Sequence, residues 1–324
     1  MTPRTVHADL HPDMAAALAK VTALSQYSGD RTALPVARQR ILMAQERAFW
    51  NAQPAAMHRE WHALLPGPFR EVPVHVMRPD AARGRSACIV YLHGGGWMLG
   101  STATHESILR GLATASGCTV VGVDYALAPE YRFPLPVEET AWVLRYVHDH
   151  AVQWQIDPGA IAVAGDSSGA NVALAAALQA QREHAGLVKA GIFYYGVFDA
   201  DLESGSAALY GNGAHGLTTD RMRYYWDQYV PDPLQRGDGR VNLLHADLSA
   251  AFPMYLLAAG CDILRDGALR FARRLDAGGI PHRLRLFDGM GHAFMGYGRM
   301  LPAVSGVHAE AAQFLRAHMK AGTQ

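Results

Sequence analysis

The chain reads as an α/β protein, with a mostly parallel central sheet flanked by helices. Three observations predict this. Six short apolar runs recur from about Val74 onward. They are continuously apolar and not alternating, as in strands buried on both faces. Helix-patterned stretches separate most of them, which makes a βαβ series.

Taken in order, roughly the first fifty residues read as helix. Pro35 suits a first helical position, and Ile41, Ala44, Ala48 and Phe49 follow near-helical spacing. The six expected strands are "ACIVYLH", "CTVVGVDY", "AIAVAG", "AGIFYYGV", "MYLLAAG" and "HRLRLF". "VEETAWVLRYVHDHA" and "SGANVALAAALQAQREH" are helical patterns between them. From 201 to 244 the alternation breaks. This long interval holds one helical stretch, "TTDRMRYYWDQYV", which Thr219 or Asp220 would cap. Met222, Trp226 and Tyr229 share a face of it. A long insertion near a site is often a lid. The expected organisation is therefore an α/β core at 56–200 and 245–324, with 1–55 and 201–244 forming one helical cap.

Composition excludes several classes of function. The 324 residues are 50% hydrophobic, enough for a sizeable core, and the formal net charge is zero. A nucleic-acid groove usually brings a basic excess. No apolar run reaches the 18 residues of a membrane span. "MTPRTVHADLHPDM" lacks the apolar stretch of a secretory leader. Cys88, Cys118 and Cys261 lie in or beside apolar runs, without metal-like spacing, and their odd number argues against a disulfide framework. A cytoplasmic protein is expected, with a small-molecule substrate, no metal, no membrane span, and a monomeric or homodimeric state. "HDH" at His148–His150 ends a helical pattern and is read as a solvated helix end.

The chemistry concentrates at strand ends. In "AIAVAGDSSGANVALAAALQ" an apolar strand meets Gly165-Asp166-Ser167-Ser168-Gly169 and then an alanine-rich helix. G-x-S-x-G in that context is a nucleophile elbow. The turn is sharp enough to strain the serine, and flanking glycines keep side chains clear of strand and helix. Ser168 would need glycines at 166 and 170, where Asp166 and Ala170 stand, so Ser167 is the candidate nucleophile.

"YLHGGGWMLG" places three glycines directly after a strand. Acyl transfer passes through a tetrahedral oxyanion, which backbone N–H groups stabilise if no Cβ crowds their approach. Gly94, Gly95 and Gly96, with the amide of Ser168, are the expected oxyanion hole. His93 is expected to anchor that loop. A serine hydroxyl needs a base, and histidine suits neutral pH. His292, in "FDGMGHAFMGYG" after a strand, is preferred to His282, His308 and His318. Asp262, at the end of "MYLLAAGCD", is the expected acid. Asp266 lies a turn into the next helix, where a carboxylate is explained by the helix start. Asp288 is a weaker candidate. Trp97, Tyr225 and Trp226 are candidates for the acyl pocket, although each is also consistent with ordinary core.

With these residues placed, the chain resembles the bacterial hormone-sensitive-lipase-like esterases, and among them the cytoplasmic acetyl esterases. The matching stretches are "YLHGGGWMLGS", "VVGVDYALAPEYRFP", "GDSSGANVALA", "DILRD" and "GHAF", with "ERAFWN" nearer the start. The resemblance implies an α/β-hydrolase fold with a helical cap and hydrolysis of short acyl esters without cofactor. Its triad falls on Ser167, Asp262 and His292. Three positions depart from the family pattern. Ile263 replaces the usual proline, Ala170 a common glycine, and Ala126 a frequent arginine. Tyr125, Pro129, Glu130 and Arg132 read as scaffold, with a Glu130–Arg132 contact. Two other readings use the same sequence features. One is a ligand-binding or regulatory protein on a hydrolase scaffold, and the other is an amidase, thioesterase or acyltransferase.

Overall fold

A computed structural model describes residues 10–319. Its centre is one eight-stranded sheet, ordered β1-β2-β4-β3-β5-β6-β7-β8. The strands are β1 (Arg59–Pro66), β2 (Glu71–Arg78), β3 (Ser86–Leu92), β4 (Thr119–Val123), β5 (Ile156–Asp166), β6 (Ala190–Tyr194), β7 (Met254–Cys261) and β8 (His282–Gly291). From β4 through β3 to β8 every pairing is parallel. β1 and β2 form an antiparallel hairpin, and β2 joins β4 antiparallel.

The six expected strands are all present. The hairpin is an addition the run-based reading missed. β1 is an edge strand, exposed on one face, in which Trp61, Ala63 and Leu65 alternate with polar or exposed neighbours. Its signal is a period of two, not a continuous apolar run.

The helices are α1 (Pro12–Leu24), α2 (Val36–Trp50), α3 (Glu106–Ser116), α4 (Leu135–Asp149), α5 (Ser168–Glu183), α6 (Gly205–Tyr210), α7 (Thr219–Tyr229), α8 (Arg265–Ala277) and α9 (Ala303–His318). α5 is buried along most of its length because its alanines let it lie close against the sheet. α3 ends at Gly117, whose φ of 73° supplies the left-handed cap that a side chain would resist. Pro35 is the residue before α2 and not inside it. α7 is capped by Thr218, whose side chain accepts from Arg221 N, one residue before Thr219 and two before Asp220, the expected caps. α6 was not anticipated.

Met43 and Arg47 of α2, and Leu217, Met222 and Tyr225 of the 201–244 interval, line the cavity at the carboxyl end of β5. α2 is tied down by Arg40, which donates to Met98 O, Ala128 O and the Glu130 carboxylate. Glu130 therefore pairs with α2 and not with Arg132. Gln39 of α2 donates to the Tyr224 hydroxyl of α7. The Arg31 guanidinium, between α1 and α2, pairs with Glu46. Among the described residues no helix is long and apolar enough to cross a membrane. Cys88, Cys118 and Cys261 are buried.

Candidate active site

β5 ends in Asp166, and α5 begins at Ser168. Ser167 between them has φ 53° and ψ −123°, a conformation strained for a side-chain-bearing residue. Both neighbouring peptide groups hold it there. Ser167 N donates to Tyr194 O at 2.9 Å, and Ser167 O accepts from Val197 N at 3.2 Å. The flanking glycines are required sterically. A Cβ on Gly169 would lie 2.2 Å from Leu92 O, and one on Gly165 would lie 2.7 Å from the Gly169 backbone.

The base and acid arrive from the last two strands, at the β8 edge of the sheet. His292 follows β8 directly, and Asp262 follows β7. Ser167 Oγ lies 2.9 Å from His292 Nε2. His292 Nδ1 lies 2.7 Å from Asp262 Oδ2. Asp262 is buried, and its other oxygen accepts from Leu264 N at 3.1 Å. Since the carboxylate accepts, Nδ1 carries the proton and Nε2 is left to accept from the serine hydroxyl. Asp266 sits elsewhere, accepting from Ser206 N and pairing with Arg265.

The glycine loop follows β3. Gly95 has φ 131°, and Gly96 has φ 63°. A Cβ on Gly95 would meet Leu99 O at 2.1 Å, and one on Gly96 would meet the Tyr225 ring at 2.3 Å. Gly95, Gly96 and Ser168 line the cavity at Ser167. Gly94 is different and corrects the expectation that all three amides serve the oxyanion. Its N–H donates to Asp166 Oδ1 at 2.9 Å. Gly94 is glycine for a separate reason, since its Cβ would lie 2.5 Å from Asp166 Oδ2.

His93 is buried beneath this loop. Its Nδ1 donates to Gly94 O at 2.9 Å, its carbonyl accepts from the Tyr125 hydroxyl, and its ring stacks on Tyr125. Burial, with the neighbouring His105 adding to it, lowers its pKa to about 4.

Asp166 and His105 form a buried polar centre that sequence reasoning missed. Asp166 accepts from the Tyr91 hydroxyl at 2.8 Å and faces His105 Nε2 at 3.5 Å. Burial pushes the Asp166 carboxyl upward. The His105 charge and hydrogen bonds from His105, Tyr91 and Gly94 outweigh it, bringing the group to about 2. One carboxylate thus ties the glycine loop, the elbow and the residue before α3 together. The available signal was its place in G-D-S-S-G, where it served only to eliminate Ser168.

The cavity at Ser167 measures about 130 Å³. Met43 and Arg47 of α2, Leu217, and Met222 and Tyr225 of α7 close it from above. Tyr225 is therefore in the expected place, but Trp97 and Trp226 are not. Both are fully buried behind the lining, where Trp97 packs on Trp226 at 4.4 Å and on Tyr229 at 4.7 Å. Sharing a helix with a lining residue was not enough, because residues 225 and 226 point about 100° apart around the helix. A wider cavity of about 580 Å³ adjoins this one and shares Leu217, Tyr225, His292 and Ala293 with it.

Comparisons with known proteins agree with this geometry. The model of a family described as alpha/beta hydrolase fold matches residues 89–296. The acetyl esterases of Salmonella dublin and Salmonella enteritidis are each 34% identical over 285 residues, covering 87% of both chains. Among solved structures, an esterase of Pyrobaculum calidifontis superposes with a TM-score of 0.87 at 29% identity, covering 95% of this chain and 98% of its own. A thermostable esterase from Pseudomonas putida gives 0.89 at 26% identity, covering 97% and 99%. The order of the strands, the serine elbow and the extent of these matches agree: the chain belongs to the alpha/beta hydrolase family, in its hormone-sensitive-lipase-like branch.

Proposed function

We propose that this serine esterase hydrolyses short acyl esters, acetyl to about butyryl, with Ser167 as nucleophile, His292 as base and Asp262 as its orienting acid. The observation that carries the reading is the continuous relay from Ser167 Oγ through His292 to Asp262, at 2.9 and 2.7 Å. His292 Nε2 takes the serine proton as Oγ attacks the ester carbonyl. The amides of Gly95, Gly96 and Ser168 receive the developing oxyanion. His292 then donates that proton to the leaving alcohol, and the acyl group stays on Ser167. A water, deprotonated by His292, releases the acid. Asp262 holds the imidazole in the tautomer this requires and offsets the charge of the imidazolium.

The small cavity under Tyr225 supports the limit on acyl length. Residues 1–55 and 201–244 act as the cap over a core of 56–200 and 245–324, residues 1–9 lying outside the described range. Three buried cysteines, odd in number and without a disulfide framework's spacing, fit a reducing, cytoplasmic setting.

The test is hydrolysis of p-nitrophenyl acetate by purified protein and by Ser167→Ala. Removal of the nucleophile should lower kcat by about 10⁴–10⁶-fold. Undiminished turnover would remove the assignment. A chain-length series from acetate to octanoate should peak at or below four carbons.

A further inference from the structure

Resting on the esterase reading, we infer that Arg47 selects esters carrying a carboxylate close to the scissile bond. Arg47 projects from α2 into the same cavity as Ser167 and His292. It is half-buried there, and among the described residues no carboxylate pairs with it. Its hydrogen-bond acceptor is Gly296 O, at a long 3.4 Å, and its guanidinium lies 5.3 Å from the centre of the Tyr297 ring. The seat is shaped for it. A Cβ on Gly296 would lie 2.2 Å from an Arg47 terminal nitrogen, so glycine leaves room for the guanidinium.

The other charges lining the two cavities are committed elsewhere. Glu46 is held by Arg31, and Asp166 by Tyr91, Gly94 and His105. Arg221, in the wider cavity, lies over the Tyr225 ring at 6.0 Å. Arg221 also acts on the Asp30 carboxylate, so among the described residues the guanidinium left without a carboxylate partner is Arg47, in the reacting compartment. A planar guanidinium presents a pair of parallel N–H donors, and a carboxylate is the group that matches them. Withdrawal from bulk water strengthens that attraction. Met43, Leu217, Met222 and Tyr225 supply the apolar remainder of the wall. A short acyl ester with one anionic end fits this mixture better than a wholly apolar one.

The carboxylate can belong to the alcohol or to the acyl group, and two substrate pairs separate these cases. 4-Acetoxybenzoate against 4-acetoxybenzamide places the charge in the leaving group. p-Nitrophenyl hydrogen succinate against p-nitrophenyl butyrate places it in the acyl group at equal chain length. Wild-type protein should favour the charged member of at least one pair in kcat/KM, mainly through KM. Arg47→Met should reduce that preference by about tenfold or more, and Arg47→Lys should keep part of it. The ratio is taken on one preparation, so partial misfolding cancels. A merely structural Arg47 would lower both members alike. No preference in either pair, or a preference unmoved by Arg47→Met, overturns the inference. Turnover of the neutral members tests the esterase reading separately, and failure to hydrolyse any of the four removes both.

Discussion

At the floor of the cleft, each group proposed to react is fixed by the strand that delivers it. Ser167, Asp262 and His292 stand at the ends of β5, β7 and β8, and the glycine loop stands at the end of β3. Asp166 beneath them is buried and held by Tyr91, Gly94 and His105, and steric contacts at Gly94, Gly95, Gly165 and Gly169 leave no room for a Cβ. The roof is different. Met43 and Arg47 come from α2, and Leu217, Met222 and Tyr225 from the long insertion. α2 and α7 are joined across the cleft through Gln39 and Tyr224. The floor holds the groups proposed for bond-breaking. On the proposed reading the roof governs what reaches them, and changes there should leave the chemistry beneath undisturbed.

The largest effect that would sharpen this contrast is at Gly95. Alanine there must accept φ near 131° and a contact of 2.1 Å with Leu99 O. The loop must shift, carrying the proposed oxyanion donors with it. Gly95→Ala should lower kcat by about 10²–10³-fold, the typical cost of one lost donor. Measured on p-nitrophenyl acetate, a loss below fivefold in folded protein would show that these donors are not so rigidly placed. The same change at Gly306 of α9, where a Cβ would meet nothing within 4 Å, should leave kcat unaltered.

This contrast also explains what the sequence disclosed. Ser167, Asp262 and His292 were legible because a strand end followed by a particular residue is a local pattern, and strand order sets the triad order. The sharing of tasks within the glycine loop was not legible. Gly94 N points to Asp166, a residue 72 positions away at the end of β5, a contact no local pattern discloses. β1 was overlooked because an edge strand shows alternation and not an apolar run. At the roof, Tyr225 and Trp226 are adjacent aromatics of similar character. Only the rotation of α7 against the sheet layers sends one to the cavity and the other onto Trp97. Arg47 gave no signal of its own in "ERAFWN", since a cation on a helix is ordinarily solvated.

Acid should separate the buried layers from the roof at an intermediate level. His93, under the glycine loop, and His308, in α9 against α3, both titrate at about 4, lowered chiefly by burial from 6.5. Between pH 6.5 and 4 the unfolded chain takes up protons at both positions that the folded chain refuses. Stability is therefore full above about pH 6.5 and falls as pH drops toward 4, by about 3 kcal/mol for each histidine. Urea unfolding at pH 7, 5.5 and 4.5 measures the slope. His308→Leu, which removes one of the two protons, should flatten it by about 1.4 kcal/mol per pH unit in this window. An unchanged slope would mean that His308 is protonated in the folded state.

The smallest effect expected is a change of preference at the roof. The Tyr225 ring covers Gly96 and bounds the 130 Å³ cavity, whereas Trp226 is sealed behind it. Tyr225→Val should open the cavity and raise kcat/KM for hexanoate relative to acetate by about tenfold, within the range that one or two methylenes contribute in an apolar pocket. Trp226→Phe removes buried volume of the same aromatic kind and should lower the melting temperature without moving the chain-length profile. If Trp226→Phe moved the profile as far as Tyr225→Val, the cavity wall would be set by the packing behind it, and roof and core would have to be treated as one unit. If only Tyr225→Val moves it, acyl length is limited by the single ring over the glycine loop, and substrate range can be altered from α7 while the elbow, the relay and the loop stay as they are.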